Sequence, residues 1–238
     1  MSADRRRYDA VVFDMDGVLV ERSPSWVFAD ATEDAFGSFG LDPDPADVEA
    51  LSGLVGGDDD AAAHLRERFD VAPGSLLAAR ETLATRNQVR AFETGEKRPY
   101  DDAQALLAAL DRPAAVVSNN AQTAVELVVR RFGFADDLRT WYGLQPTPAD
   151  AARRKPDSAY LSRALSELSA GSALYVGDRA SDVETACNAS VDGGFVHRSY
   201  NDDEEFDVEP AHEFDGLAGL AALLGLPESI RTNGAQDG

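Results

Sequence analysis

After Pro99 the chain settles into an alternation of short apolar runs and amphipathic stretches of helical period, a pattern few architectures accept. The runs Ala114-Ala115-Val116-Val117, Ala173-Leu174-Tyr175-Val176 and Gly194-Phe195-Val196 read as strands, with a further short one near Thr140-Trp141-Tyr142. Between them lie the stripes Ala103/Leu106/Leu107/Leu110, Val125/Val128/Val129/Phe132, Leu161/Ala164/Leu165/Leu168 and Val183/Ala186/Cys187, and Leu217/Leu220/Ala221/Leu224 closes the series. Ala10-Val11-Val12-Phe13 is an earlier run of the same kind. Strands that are apolar throughout and joined through helices belong to a parallel sheet covered on both faces, so the fold class is α/β.

The segment from Ser23 to about Gly95 has a different texture. Phe28, Thr32, Ala35, Phe36 and Phe39 fall at helical spacing, while Pro43, Pro45, Gly53, Gly56-Gly57 and Pro73-Gly74 punctuate the rest, and no strand pattern stands out. A helical block inserted after the first strand makes a separate subdomain, expected over 21–99, with a core formed by 1–20 and 100–226. The acidic stretch Asp202 to Glu205 is expected as solvated loop and 227–238 as a flexible tail.

Three strands end in polar residues of a particular kind: Asp14 and Asp16 after the first, Ser118 after the second, Asp178 and Asp182 after the one at Val176. In an open α/β sheet ligands bind beyond the carboxyl ends of the strands, so these groups converge although they are distant in sequence. Lys155, before Pro156 at the start of a helix, can be aimed at the same crevice. Four carboxylates cannot sit together ionised without a cation. Oxygen ligands without clustered His or Cys point to Mg²⁺, which completes its shell with water and substrate phosphate. Lys155 and Ser118 then hold phosphate oxygens, one carboxylate serves as in-line nucleophile, and Asp16 trades a proton with the leaving oxygen and with water.

Asp14-Met15-Asp16-Gly17-Val18-Leu19, Val117-Ser118-Asn119, Lys155-Pro156 and Gly177-Asp178-Arg179-Ala180-Ser181-Asp182, in that order, resemble the four motifs of the haloacid dehalogenase superfamily. The resemblance spans about residues 8 to 198. It implies a Rossmann-like, doubly wound parallel sheet with a small helical cap, like those of phosphoglycolate phosphatases and β-phosphoglucomutases. It implies an aspartyl-phosphate on Asp14 and general acid/base work by Asp16, whose carbonyl ligates Mg²⁺. Phosphate is then bound by Ser118, Asn119, Lys155 and Gly17, and the metal site is built from Asp14, Asp16, Asp178 and Asp182, with Asp178 a direct ligand and Asp182 holding a metal-bound water or Lys155. Dehalogenases proper lack the second aspartate of the first motif, so Asp16 favours phosphoryl transfer over carbon–halogen cleavage. The Lys-Thr and membrane segments of the transport ATPases are absent, as is a Walker-type loop.

Each residue also has a plainer reading. Ser118 before Asn119-Asn120 can cap a helix, Asp182 can favour a helix N-terminus, and Cys187 on an apolar stripe reads as a small buried hydrophobe. Only Lys97 and Lys155 are lysines among the 22 basic residues. Where cations are nearly all arginine, a lysine kept before Pro156 marks a specific task; Lys97 carries no such motif. Arg66, Arg68, Arg80, Arg86, Arg90, Lys97 and Arg98 crowd the end of the insert. Most are expected as salt-bridged surface, with one or two facing the core to recognise an anionic group on a substrate such as 2-phosphoglycolate.

A formal net charge of −21 disfavours nucleic acid and anionic membranes, but not a small phosphate ester drawn in by Mg²⁺ and a few cations. The Asp-rich, Lys-poor composition suits a protein hydrated at high salt, a halophilic trait. The single Cys187 precludes an intrachain disulfide and agrees with a reducing, cytoplasmic setting, and no apolar run of transmembrane length occurs. The expected partner is a small phosphorylated metabolite and the expected assembly a monomer or homodimer. The expected activity is Mg²⁺-dependent hydrolysis of a phosphoglycolate-like ester or sugar phosphate. The alternatives are an intramolecular sugar phosphomutase and a non-catalytic phosphate-ligand binding protein.

Overall fold

The computed structural model describes residues 8–231. Among them, six strands form one parallel sheet: β1 (Ala10–Phe13), β2 (Ala114–Ala121), β3 (Thr140–Leu144), β4 (Ala173–Gly177), β5 (Asp192–Val196) and β6 (His212–Phe214). Their order is β3-β2-β1-β4-β5-β6. The central strand β1 pairs Val12 with Ala115 of β2 on one side and with Tyr175 of β4 on the other.

Successive residues of a strand face opposite sides, and here both sides are apolar. Val11 and Phe13 pack under α5 (Asp101–Ala109), α6 (Gln122–Arg131) and α10 (Leu217–Leu223), through Leu106, Val128 and Leu220. Ala10 and Val12 face α8 (Ala159–Leu168) and α9 (Ala180–Asn188), through Leu161, Ala164 and Ala186. This is a Rossmann-like doubly wound α/β sheet.

Four helices stand between β1 and α5: α1 (Ser25–Gly37), α2 (Pro45–Val55), α3 (Asp59–Arg68) and α4 (Pro73–Thr94). They enclose an apolar cluster of their own that includes Phe36, Leu51, Leu54, Leu65 and Leu76. Local chemistry sets their ends. Asp44 and Asp47 form a reciprocal capping box with Pro45 in the first turn of α2, and α4 stops at Gly95, whose φ of +74° is left-handed. The chain leaves and re-enters the sheet side by side: Glu21 N donates to Arg98 O at 2.8 Å, and Tyr100 N donates to Leu19 O at 3.1 Å.

Several local expectations are corrected. β2 continues past Ser118 to Ala121 with an irregular register, so Ala121 and not Ser118 precedes α6. The helix after Lys155 begins only at Ala159, because a residue before proline disfavours helical backbone and Asp157 Oδ1 accepts the Ala159 N–H instead. Cys187 is exposed, since it sits about 100° round α9 from the buried Ala186. Phe39 lies past the end of α1 and is 42% exposed, whereas Phe36 is buried. β6 has no counterpart in the strand reading. Within the expected tail, Glu228–Arg231 forms a short helix whose Ile230 packs on the core, and 232–238 lie outside the described residues.

Candidate active site

A 3-2-1-4-5-6 order reverses direction between β1 and β4, and the crevice at that switch point is where an open α/β sheet binds ligands. Asp14 follows β1 and Asp178 follows β4; Asp14 N donates to Val176 O at 2.8 Å, which holds the two strand ends together. Asp182 comes from the first turn of α9 and accepts the Arg179 N–H at 3.2 Å. Carboxylate oxygens of Asp14, Asp178 and Asp182 lie within 4.8 Å of one another, all three residues buried.

Lys155 reaches into this cluster. Its Nζ is 2.8 Å from Asp14 Oδ1 and 2.5 Å from Asp182 Oδ1, and it donates to Tyr175 Oη at 3.1 Å. Tyr175 in turn donates to Val117 O at 2.9 Å, tying the ammonium to β2. Burial alone would push Lys155 down, but Asp14 and Asp182 carry it well above the ordinary lysine value.

The same desolvation raises Asp14 to about 6, against the pull of Lys155 and with the push of Asp182. It raises Asp178 to about 7, helped by Asp14 and Asp182. Three carboxylates and one ammonium leave two negative charges, and the buried Oδ1 of Asp14 makes no aligned hydrogen bond although Lys155 is beside it. An all-oxygen set with a deficit of two positive charges and an unsatisfied carboxylate oxygen fits Mg²⁺.

The other expected site residues are placed as follows. Ser118, buried, and Asn119 line a cavity of about 680 Å³ together with Asp14, Asp16 and Lys155. Asn119 Oδ1 accepts the Lys155 backbone N–H at 3.0 Å, so it also fixes the loop that carries the lysine. Gly17 is not among the residues that line this cavity. Its N–H is engaged by Val20 O at 2.7 Å and its carbonyl by Arg198 Nε at 2.9 Å. What the position requires is the absence of a side chain: φ is +84°, and a Cβ would fall 2.2 Å from Asp178 Oδ2. The Asp16 carboxylate stands apart from the three clustered acids and bonds to Lys97 at 2.7 Å.

The opposite wall of the cavity comes from the helical insert and the loop before Lys155. Phe28, Arg80 and Glu81 line it from α1 and α4, and Arg154 lines it from the core. Arg80 pairs with Glu81 and lies over the Phe28 ring. Arg154 is pushed below the ordinary arginine value by burial, with Glu81 opposing and Arg80 adding to the shift. Of the seven basic residues crowded into the end of the insert, only Arg80 lines this cavity. A larger neighbouring cavity of about 890 Å³ contains none of the strand-end acids.

Tyr175, Tyr200 and Arg154 escape sequence reasoning. Tyr200 Oη donates to Asp178 Oδ2 at 2.9 Å from a loop with no motif. Tyr175 did carry a signal, because a tyrosine in a strand buried on both faces needs a partner for its hydroxyl.

Known proteins agree with this geometry. The sequence model of the haloacid dehalogenase-like hydrolases matches residues 8–189. An N-acetylmuramic acid 6-phosphate phosphatase of Pseudomonas aeruginosa is 29% identical over 215 residues, 87% of this chain and 88% of that protein. A phosphoglycolate phosphatase of Rhodospirillum rubrum is 30% identical over 232 residues, 92% of each chain. The crystal structure of CbbY from Rhodobacter sphaeroides in complex with phosphate shares the fold, with a TM-score of 0.68 at 22% identity over 92% of this chain and all of that one. With the strand-end acids and Lys155 gathered at the switch point of such a sheet, the chain belongs to the haloacid dehalogenase-like hydrolases and is a phosphoric monoester hydrolase.

Proposed function

We propose that the chain is a Mg²⁺-dependent phosphatase for a small phosphate monoester that also carries a carboxylate, working through an aspartyl-phosphate on Asp14. The observation that carries this reading is the contact between Asp14 Oδ1 and Lys155 Nζ at 2.8 Å within the three-acid cluster. It supports Asp14 as nucleophile and Lys155 as phosphate-binding cation, side by side in the cavity lining. Asp14, Asp178 and Asp182 with the Asp16 carbonyl would hold the ion. When bound, the ion neutralises the cluster and polarises the phosphoryl group.

Lys155 and the Ser118 hydroxyl orient the phosphoryl oxygens. A carboxylate oxygen of Asp14 forms a bond to phosphorus as the ester P–O bond breaks, and Asp16 delivers a proton to the departing oxygen. Water then attacks the aspartyl-phosphate, Asp16 takes its proton, and inorganic phosphate leaves with Asp14 restored. The helical insert acts as a cap that covers the cavity and sorts substrates.

Two things support the carboxylate. Arg80 and Arg154 outnumber Glu81 on the far wall, leaving positive charge for a second anion. Both curated relatives, moreover, are named for substrates that join a phosphate to a carboxylic acid. Arg80→Ala is expected to raise KM for such a substrate about 10- to 100-fold, the worth of a charge-assisted hydrogen bond, while KM for p-nitrophenyl phosphate changes less than about threefold. Equal changes for both esters would remove Arg80 from substrate recognition.

The reading as a whole is tested by a panel of phosphate esters with Mg²⁺ at high and low KCl, the composition favouring high salt, and then with EDTA. Free phosphate from a carboxylate-bearing ester supports it. An isomerised sugar phosphate without free phosphate would make the chain a mutase, and no turnover of any ester would make it a binding protein.

A further inference from the structure

We propose that Lys97 is a positioning residue that holds Asp16 for proton transfer and ties that carboxylate to the helical insert. This rests on the role of Asp16 given above. The Lys97 side chain is 0% exposed, and its ammonium meets three acceptors: Asp16 Oδ1 at 2.7 Å, Ser23 Oγ at 2.8 Å and Gln88 Oε1 at 3.0 Å. An ammonium has three donors, so all are used.

The acceptors come from three separate segments: the catalytic loop, the outgoing crossover and α4, where Gln88 is 1% exposed. Lys97 itself stands on the returning crossover. Its ammonium therefore binds together every piece of chain that joins the insert to the core. Taking an ammonium out of water is costly, and simple packing of α4 would not require one.

The geometry around Asp16 explains what the contact achieves. Oδ1 is committed to Lys97, and Ser23 Oγ, itself a Lys97 acceptor, lies 3.4 Å from Oδ2. Oδ1 thus fixes the carboxylate, and Oδ2, which accepts only that long bond from Ser23, is the atom that trades protons. Asp16 lines the cavity and Lys97 does not, so Lys97 acts only through Asp16. A compact ammonium suits three acceptors converging on one point, whereas a planar guanidinium spreads its donors along a fork. That is a reason for lysine in a chain whose other cations, Lys155 aside, are arginines.

The test exploits the leaving group. Nitrophenolate departs without a proton and an alkoxide does not. In Lys97→Met, single-turnover cleavage of an alkyl phosphate is expected to fall about 100-fold, within the range of general acid catalysis, with KM unchanged. Pre-steady-state release of nitrophenolate from p-nitrophenyl phosphate is expected to change less than about threefold, and adding Lys97→Met to Asp16→Asn to cost less than about twofold more. Equal slowing of both esters, full additivity with Asp16→Asn, or wild-type rates would overturn the proposal. Should Lys97→Met not fold, Gln88→Met weakens the same clamp and must show the same selectivity for the alkyl ester; its absence would overturn the proposal equally. Loss of the function reading is recognised separately, by an active Asp14→Asn enzyme.

Discussion

Asp14→Asn is expected to lower turnover by at least about four orders of magnitude while the fold survives. Asparagine keeps the volume and planarity of the side chain, and the backbone bond from Asp14 N to Val176 O is untouched. What disappears is the anionic oxygen that the proposed mechanism bonds to phosphorus. Uncharged amide oxygen is a poor nucleophile, and no neighbouring group replaces it: Asp178 accepts from Tyr200, and Asp182 is held by Arg179 N, Tyr175 and Lys155. Phosphate release measures activity, and a chemical denaturation curve checks the fold. An Asp14→Asn protein that retained more than about 1% of the wild-type rate would dismantle the covalent mechanism.

Removal of divalent cation is expected to abolish turnover and to leave a protein whose stability falls as pH rises from about 4 to about 7. The sign follows from the carboxylates. Asp14 and Asp178 titrate near 6 and 7 in the folded chain against an ordinary value of 3.8, so between these values the folded state binds more protons than the unfolded state. Raising pH through that window strips protons that the fold prefers to keep.

Asp102, raised by burial, adds to the same trend, whereas other shifts act elsewhere. Lys155, raised, contributes stability that is lost only as pH climbs above the ordinary lysine range, and Asp47, lowered, contributes stability lost only as pH falls below the ordinary carboxylate range. Added Mg²⁺ should restore the melting temperature most at the upper end of the window, by mass action on the folded state. Asp178→Asn should flatten both the pH dependence and the Mg²⁺ response. A metal-free melting temperature constant from pH 4 to 7 would show that the three acids are not strained against one another.

The strands and their catalytic ends were legible because each combines two local signals within a few residues. An apolar run such as Ala10–Phe13 breaks off at Asp14, and Leu174–Val176 gives way to Gly177-Asp178. Gly177 itself has a spatial reason that spacing cannot show, as a Cβ there would lie 2.2 Å from the Asp182 side chain.

Lys97 was illegible for a definite cause: two of its acceptors, Ser23 and Asp16, are 74 and 81 residues away, and no periodicity spans such a gap. β6 was missed because three residues, His212-Glu213-Phe214, form an edge strand with no apolar run. Spacing alone puts Cys187 and Phe39 on apolar stripes, but a single residue's rotation or a helix ending two residues early turns each outward. Arg80 could be narrowed to a group of seven but not selected, since the direction a helical arginine points is set by what the helix packs against.

The paired crossovers at Leu19–Glu21 and Arg98–Tyr100 make the whole excursion of α1–α4 start and finish at one spot on the core. Such a segment is exchangeable: a chain of another length and shape can be spliced between the same two neighbouring points without disturbing any strand. Evolution can in this way refit the enzyme to new esters while the phosphate chemistry stays put. The splice here has a rule attached, because a replacement that omits Ser23, Gln88 or Lys97 would keep Asp14 in place and leave the Asp16 carboxylate without its anchor.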